Sequence, residues 1–215
     1  MKFAGKCRPE PDALEELSEL GFDAVELQLL HTHLDTFEQS IAAVQQSDLE
    51  VVSVHTPHAS LEESTVFTQA DAMAAELDVY LVIHSQYVQH VHIGQLEEYS
   101  FESNYGYENN PGSSRFHIEN LILEQGHELV LDTAHLYMAE PAYLQQLERL
   151  LEQYHEQISI IHFADSTVRK DGLQIGAGTL NSERTIQLLE EYYEGTVVME
   201  VHPPTAQASA RELFQ

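Results

Sequence analysis

Short apolar, β-branched runs alternate with amphipathic stretches along nearly the whole chain. The runs are Lys2–Lys6, Ala24–Leu29, Val51–His55, Val79–His84, Asn104–Glu108, Glu128–Asp132, Ile158–Phe163 and Val197–Val201. Most are apolar almost throughout, as expected of strands covered on both faces. Between them lie segments with helical spacing: Asp12–Leu20, Phe37–Gln46, Thr65–Leu77, Arg115–Gln125, Pro141–Tyr154 and Ser182–Tyr193. Gly21 follows the first of these, where a glycine suits a helix end, and Pro141 opens another, where a proline suits a first turn. The stretch Tyr87–Tyr99 reads either as a degenerate helix or as a long loop.

Strands separated by helix-length links imply parallel β-α units, because parallel neighbours need crossover connections. Eight such units suggest closure into a (β/α)8 TIM barrel. These barrels typically take about 250 residues, with about 200 as a lower limit, so a chain of 215 residues makes a compact one with short loops. No linker, low-complexity block or shift in composition divides the chain, and a single domain over residues 1–215 is expected. An open doubly wound sheet is the competing architecture.

The polar residues fall at one end of these strands. Val52-Ser53-Val54 runs into His55, and Leu81-Val82-Ile83 runs into His84. Glu108 ends the fifth strand, and Asp132 ends the sixth with His135 three residues on. His162 comes near the end of the seventh, three residues before Asp165, and Glu200 near the end of the eighth. In a barrel the C-terminal strand ends converge on one mouth, where active sites are built. A lone histidine after an apolar strand is ordinarily a core or surface residue, and a lone aspartate is often the N-cap of the next helix. Glu108 and Glu200 resist that explanation, because a buried unpaired carboxylate is costly and needs a metal or a basic partner. Taken jointly, these strands point carboxylates and imidazoles at one place, a donor set that suits Mn²⁺, Mg²⁺, Co²⁺ or Zn²⁺.

Composition narrows the partners. Thirty-six Asp and Glu stand against 9 Lys and Arg, a formal net charge of −27 with the 13 histidines neutral. Nucleic-acid binding draws much of its energy from basic groups on phosphates, so it is not expected here, and neither is docking on an anionic membrane. The hydrophobic share of 43% argues for a folded core rather than disorder. Cys7 is the single cysteine, which excludes an intrachain disulfide and a cysteine-based zinc site. Met1-Lys2-Phe3-Ala4-Gly5 does not resemble a signal peptide, and no apolar run approaches the roughly 18 residues of a membrane span. A soluble, cytoplasmic protein is expected. Lys2, Lys6 and Lys170 are the only lysines. Such an acidic, lysine-poor surface suits a salt-rich cytoplasm, in which ions screen self-repulsion, although it equally describes an ordinary acidic enzyme.

Several segments together resemble the xylose-isomerase-like TIM barrel superfamily, which includes sugar and sugar-phosphate isomerases and epimerases and the endonuclease IV type of abasic-site nuclease. Gly21-Phe22-Asp23-Ala24-Val25-Glu26-Leu27 looks like its second-strand motif and Tyr107-Glu108-Asn109-Asn110 like its Glu-Asn motif. Leu131-Asp132-Thr133-Ala134-His135 is similar to its Asp-Thr-x-His motif. Ile161-His162-Phe163-Ala164-Asp165-Ser166, the later Gly176-Ala177-Gly178, and Val198-Met199-Glu200-Val201 complete the ordered set.

The resemblance implies one essential divalent metal on Glu108, Asp132, His162 and Glu200. It implies proton transfer by Glu108 and Glu200 through an enediolate of a small sugar, sugar phosphate or related polyol. His55, His84 and His135 would serve a second metal or the substrate, and Glu26 would line the pocket. Arg169 and Lys170, with Arg184, are the cations expected near the mouth should the substrate carry a phosphate. The N–H groups of Gly176-Ala177-Gly178 are a further candidate for that phosphate, or else a plain turn. Family members often pair, which leaves a homodimer open. The nuclease branch is the alternative: His55, His84, Glu108, Asp132, His135, His162 and Glu200 match its pattern as well. Its further Asp-x-His is missing, with Gly172 standing where that histidine belongs. A barrel that keeps its ligands but serves only to bind is the third reading.

Overall fold

The computed structural model describes residues 1–84 and 93–214. Eight parallel strands close in the ring order β1-β10-β7-β6-β5-β4-β3-β2. They are β1 (Lys2–Cys7), β2 (Ala24–Gln28), β3 (Glu50–His55), β4 (Tyr80–Ile83), β5 (Tyr105–Glu108), β6 (Glu128–Asp132), β7 (Ile158–Phe163) and β10 (Thr196–Met199). The expected barrel is therefore present, and the open sheet is excluded by the pairing of β1 with both β2 and β10. The helices are α1 (Pro11–Glu19), α2 (His31–Asp35), α3 (Phe37–Gln45), α4 (Ser64–Leu77), α5 (Ile93–Leu96), α6 (Arg115–Leu121), α7 (Thr133–Ala139), α8 (Tyr143–Tyr154), α9 (Ser182–Tyr192) and α10 (Pro204–Arg211). None of the described helices is long and apolar enough to cross a membrane.

Strand side chains alternate between two cores. The odd-facing residues, such as Val25, Leu27, Leu81, Ile83, Leu129, Leu131, Ile161 and Val197, pack outward with the apolar faces of the helices. The alternate residues Ala4, Ala24, Val82, Val130, Ile160 and Val198 meet inside the barrel as a separate apolar plug. Burial on both faces is why these strands read as continuous apolar runs. Gly106 belongs to the same inner level. A Cβ there would collide with the Tyr80 hydroxyl, which crosses beneath it to donate to Glu128 Oε2 at 2.9 Å.

Several boundaries differ from the pattern, each for a local reason. His84 and Glu200 lie just past their strands; the His84 N–H donates to Thr56 Oγ1 at 2.9 Å instead of extending the ladder. The expected helix Arg115–Gln125 breaks at Ile122 (φ −116°, ψ −68°) into α6 and a 3₁₀ turn over Leu123–Gln125. Pro141 lies in the turn before α8 rather than inside it, since Ala142 (φ −107°, ψ 39°) is not yet helical. The stretch Tyr87–Tyr99 falls partly outside the described residues and ends in α5 and a 3₁₀ turn, Glu97–Tyr99. After β7 the chain forms an antiparallel hairpin, β8 (Asp165–Thr167) and β9 (Lys170–Leu173), for which no periodicity prepared.

Candidate active site and metal centre

Two residues beyond each plug position, the alternation returns to the barrel interior at its C-terminal end. Ala4, Ala24, Val82, Gly106, Val130, Ile160 and Val198 thus lead to Lys6, Glu26, His84, Glu108, Asp132, His162 and Glu200. The site is a polar layer resting on an apolar floor, and a period of two residues positions every member. A shift in the β2–β3 register sets Glu26 beside Ser53 and Gln28 beside His55, which brings β3 in as well.

The layer is almost dry. Glu26 and His162 are completely buried, and Lys6, His55, Glu108 and Asp132 are nearly so, while the Glu200 side chain is 25% exposed. His55, Glu108, His162 and Glu200 each offer one ligand atom, and these four atoms lie within 4.8 Å of one another. Glu108, Asp132 and His135 form a second such group. Glu108 is common to both, so the expected quartet Glu108, Asp132, His162 and Glu200 is divided between adjoining groups. His84 lies outside them. Its ring stands edge-on to His55 with centroids 5.1 Å apart, and close to His58 at 4.0 Å.

Hydrogen-bond geometry sets the protons. His162 Nδ1 hydrogen-bonds Glu108 Oε1 at 3.0 Å and pairs in charge with Glu200 Oε2 at 2.8 Å, and Nε2 hydrogen-bonds Glu26 Oε2 at 3.2 Å. With acceptors on both sides the ring is an imidazolium. Burial opposes that charge, but Glu26 and Glu200 outweigh it and hold the pKa well above the usual histidine range. His135 is similar: Nδ1 donates to the Asn109 carbonyl at 2.8 Å and Nε2 to Asp171 Oδ2 at 2.9 Å. Against burial, the Asp132 charge and the Asp171 hydrogen bond raise it to about 10.

His55 differs. Its Nδ1–H donates to the Thr56 carbonyl at 3.0 Å, which leaves the Nε2 lone pair facing the cluster. That atom is buried and has no hydrogen-bond partner; Glu108 Oε2 stands 3.5 Å away.

The carboxylates divide in the same way. Burial would raise Glu26, Glu108 and Glu200, yet all three stay below the ordinary carboxylate range. His162 and Lys6 lower Glu26, the hydrogen bond from His162 leads the lowering of Glu108, and Lys6 and His162 lower Glu200. Asp132 goes the other way, pushed up to about 6 by burial and by the charges of Glu200 and Glu108, despite His135. Asp132 also caps α7, its Oδ1 accepting the His135 N–H at 2.8 Å. Burial, followed by neighbouring His55, lowers His84 to about 3, which keeps its ring neutral.

Two functional residues escaped the pattern. Lys6 Nζ lies 2.6 Å from Glu200 Oε1 and 2.9 Å from Glu26 Oε1, so the cation in the mouth is a strand residue. It ends its run just as the acids end theirs, and that position was the available signal. Arg169 and Lys170 are instead exposed at the turn of the hairpin, and Arg184 binds Gln187 and faces Glu148 on the helical exterior. Asp171 is the second omission, delivered to His135 by β9. Asp165, the strand-end aspartate with an N-cap reading, caps no helix. Its carboxylate accepts N–H groups from Ser166, Gly176, Gly178 and Leu180, so the two glycine N–H groups are already engaged and are not a phosphate cradle. Gly178 sits so close to the Ser166 carbonyl that no Cβ fits.

Residues 98–215 match the family model of xylose isomerase-like TIM barrels. No curated protein matches the chain. Among solved structures, a D-tagatose 3-epimerase-like protein superposes with a TM-score of 0.79 at 21% identity, over 99% of this chain and 95% of that one. A D-allulose 3-epimerase from Methylomonas sp., in complex with D-allulose, gives 0.68 at 14% identity, over 94% and 84%. A xylose isomerase-like TIM barrel protein from Mycobacterium smegmatis, in complex with magnesium, gives 0.68 at 13%, over 99% and 95%.

Proposed function

The chain belongs to the xylose isomerase-like TIM barrel family, and from that membership we propose that it is a divalent-metal-dependent isomerase or epimerase. Its substrate in this reading is a small sugar, sugar phosphate or related polyol. The observation that carries the proposal is the convergence of His55, Glu108, His162 and Glu200 on one buried point. The donor set fits a divalent ion on two counts. His55 Nε2 and Glu200 Oε2 are buried ligand atoms without hydrogen-bond partners, and His55 is already in the tautomer that a metal needs. Carboxylates with imidazoles and no thiolate suit Mn²⁺, Mg²⁺, Co²⁺ or Zn²⁺. The similarity in fold to epimerases, one holding D-allulose, and to a magnesium-bound barrel supports the same reading.

Glu108, His162 and Glu200 would hold the ion together with His55, and Asp132, grouped with Glu108 and His135, is the remaining candidate ligand. When bound, the ion would supply Lewis-acid polarisation of the substrate carbonyl. The chain's own task is then proton transfer. Glu108 ends β5 and Glu200 directly follows β10, with β6 and β7 between them in the ring, and so they address the bound sugar from different sides. Both are kept ionised and ready to accept a proton from the carbon beside the carbonyl. In an epimerase the other carboxylate returns a proton on the opposite face.

The test is deuterium uptake from D₂O, followed by NMR, into D-allulose, D-tagatose and their phosphates with Mn²⁺ present. Exchange at the carbon next to the carbonyl is expected, with Glu108→Gln and Glu200→Gln each lowering it by about 10²–10⁴-fold. Failure of the purified protein to bind any divalent ion would overturn the proposal. So would cleavage of abasic duplex DNA that is abolished by His84→Ala, which selects the nuclease.

A further inference from the structure

Among the described residues, Lys6 is the one lysine or arginine that is buried. Its placement is heavily determined. The β1–β10 ladder ends at Ala4 and Val198. Beyond it, the fully buried Gln207 of α10 grips the Lys6 backbone from both sides: its Oε1 accepts the Lys6 N–H and its Nε2 donates to the Lys6 carbonyl, each at 2.8 Å. Thus fixed, the side chain reaches into the polar layer and divides the Glu200 carboxylate. Oε1 is taken by the ammonium at 2.6 Å, while Oε2 is left without a hydrogen bond, facing His162 Nδ1. The other side of the ammonium meets Glu26, whose Oε2 is in turn held by Ser53 Oγ at 2.7 Å.

We propose that Lys6 is a positioning residue acting as a fixed internal cation. It occupies the Glu26–Glu200 side of the mouth, presents a single oxygen of Glu200 to the divalent ion, and restrains the affinity for that ion. The inference rests on the metal reading above. Its physical basis is Coulombic. The layer holds four carboxylates, Glu26, Glu108, Asp132 and Glu200, in a nearly dry space. A permanent ammonium beside two of them stabilises the barrel when no ion is bound, and repels a second cation entering the same few ångströms. Glu26 is in this account the partner of Lys6 and His162 rather than a metal ligand, which explains a carboxylate placed entirely inside the barrel.

Lys6→Met removes the charge and keeps an unbranched side chain one atom shorter. Two readouts then move in opposite directions. Without metal, unfolding should occur at a lower temperature than in the wild type, because two carboxylates lose their cation. Mn²⁺ should bind more tightly, by about tenfold or more, and should raise the melting temperature further than it does in the wild type. A lysine with only a structural role would lower stability with no gain in Mn²⁺ affinity. If Lys6→Met does not fold without metal, refolding in Mn²⁺ should restore it, and failure to restore it would count against the proposal. Equal or weaker Mn²⁺ binding by a folded Lys6→Met overturns the inference alone. Absence of binding by both proteins overturns the metal reading and this inference with it.

Discussion

The side chain of Asn109 brackets the backbone of Asp132: Oδ1 accepts its N–H at 2.7 Å and Nδ2 donates to its carbonyl at 3.0 Å. The β5–β6 ladder has its last pair at Glu108 and Val130, so a carboxamide continues the strand pairing where the two strands end. The Asn109 carbonyl meanwhile accepts His135 Nδ1–H. One residue thereby fixes the direction of an aspartate and an imidazole. Asn109→Ala should cost about 1–3 kcal/mol, the range for buried polar groups left unpaired, and Asn109→Asp should cost more by setting a carboxylate against the Asp132 carbonyl. Urea unfolding of the metal-free proteins measures both. Unchanged midpoints would mean that the ladder alone places Asp132.

Metal binding should release a proton from His162. In the metal-free protein the ring faces acceptors at both nitrogens and its pKa is raised well above 6.5, so it is charged at pH 7. Nδ1 becomes a ligand only after that proton leaves. Glu108 and Glu200, already ionised, contribute none. Between pH 6 and 8 the Mn²⁺ dissociation constant should therefore fall about tenfold per pH unit. Calorimetry in buffers of different ionisation heat should register roughly one proton released per ion. A binding constant that ignores pH would place the ion away from His162.

The pair of His135 and Asp171 predicts a loss of stability in mild alkali. The folded pKa of His135, about 10, lies above its ordinary value of 6.5. A base raised in this way contributes stability that is full below about pH 6.5 and disappears as pH rises through about 10. Asp171 is half-exposed, so its hydrogen bond is solvent-screened and worth about 1 kcal/mol. Asp171→Asn should destabilise the metal-free protein by about that amount at pH 7. The difference between the two proteins should vanish near pH 10.5. A gap that persists unchanged in alkali would show that His135 carries no charge.

The positions that can be read from the chain and those that cannot differ in one physical respect. Glu26, Glu108, Asp132 and His162 lie on strands and Glu200 directly follows one, so alternation carries every side chain two residues past the plug into the mouth. Lys6 obeys the same rule, and differs from the other strand-end groups only in bringing a cation to the layer instead of an acid or an imidazole. Asp171 and Asp165 sit in the hairpin after β7, where turn geometry rather than period decides direction. The grouping of ligands was also illegible. Whether Asp132 joins His135 or His162 depends on how far neighbouring strands are displaced, and the β2–β3 and β6–β7 registers each shift within the barrel. Such shifts leave no mark in hydropathy.

Salt should stabilise this protein. Of 9 Lys and Arg facing 36 Asp and Glu, Lys6 lies inside the barrel, and Arg211 bonds the Leu20 and Gly21 carbonyls and stacks on Phe22. Few cations remain for the surface; those paired include Lys2 with Glu50 and Arg115 with Glu119. Surface repulsion among the carboxylates is thus largely uncompensated. The Debye length falls from about 10 Å at 0.1 M salt to about 3 Å at 1 M, which screens exposed charges. The Lys6 contacts with Glu26 and Glu200 are buried and far less affected, so relief of repulsion outweighs the loss of attraction. The melting temperature should rise by several degrees, on the order of 1–2 kcal/mol for a domain of this size, between 0.1 and 1 M KCl. The rise should be smaller at pH 5, where part of the surface carboxylate is protonated. A flat or falling melting curve would mean that the acidic surface is locally neutralised and that the net charge does not govern stability.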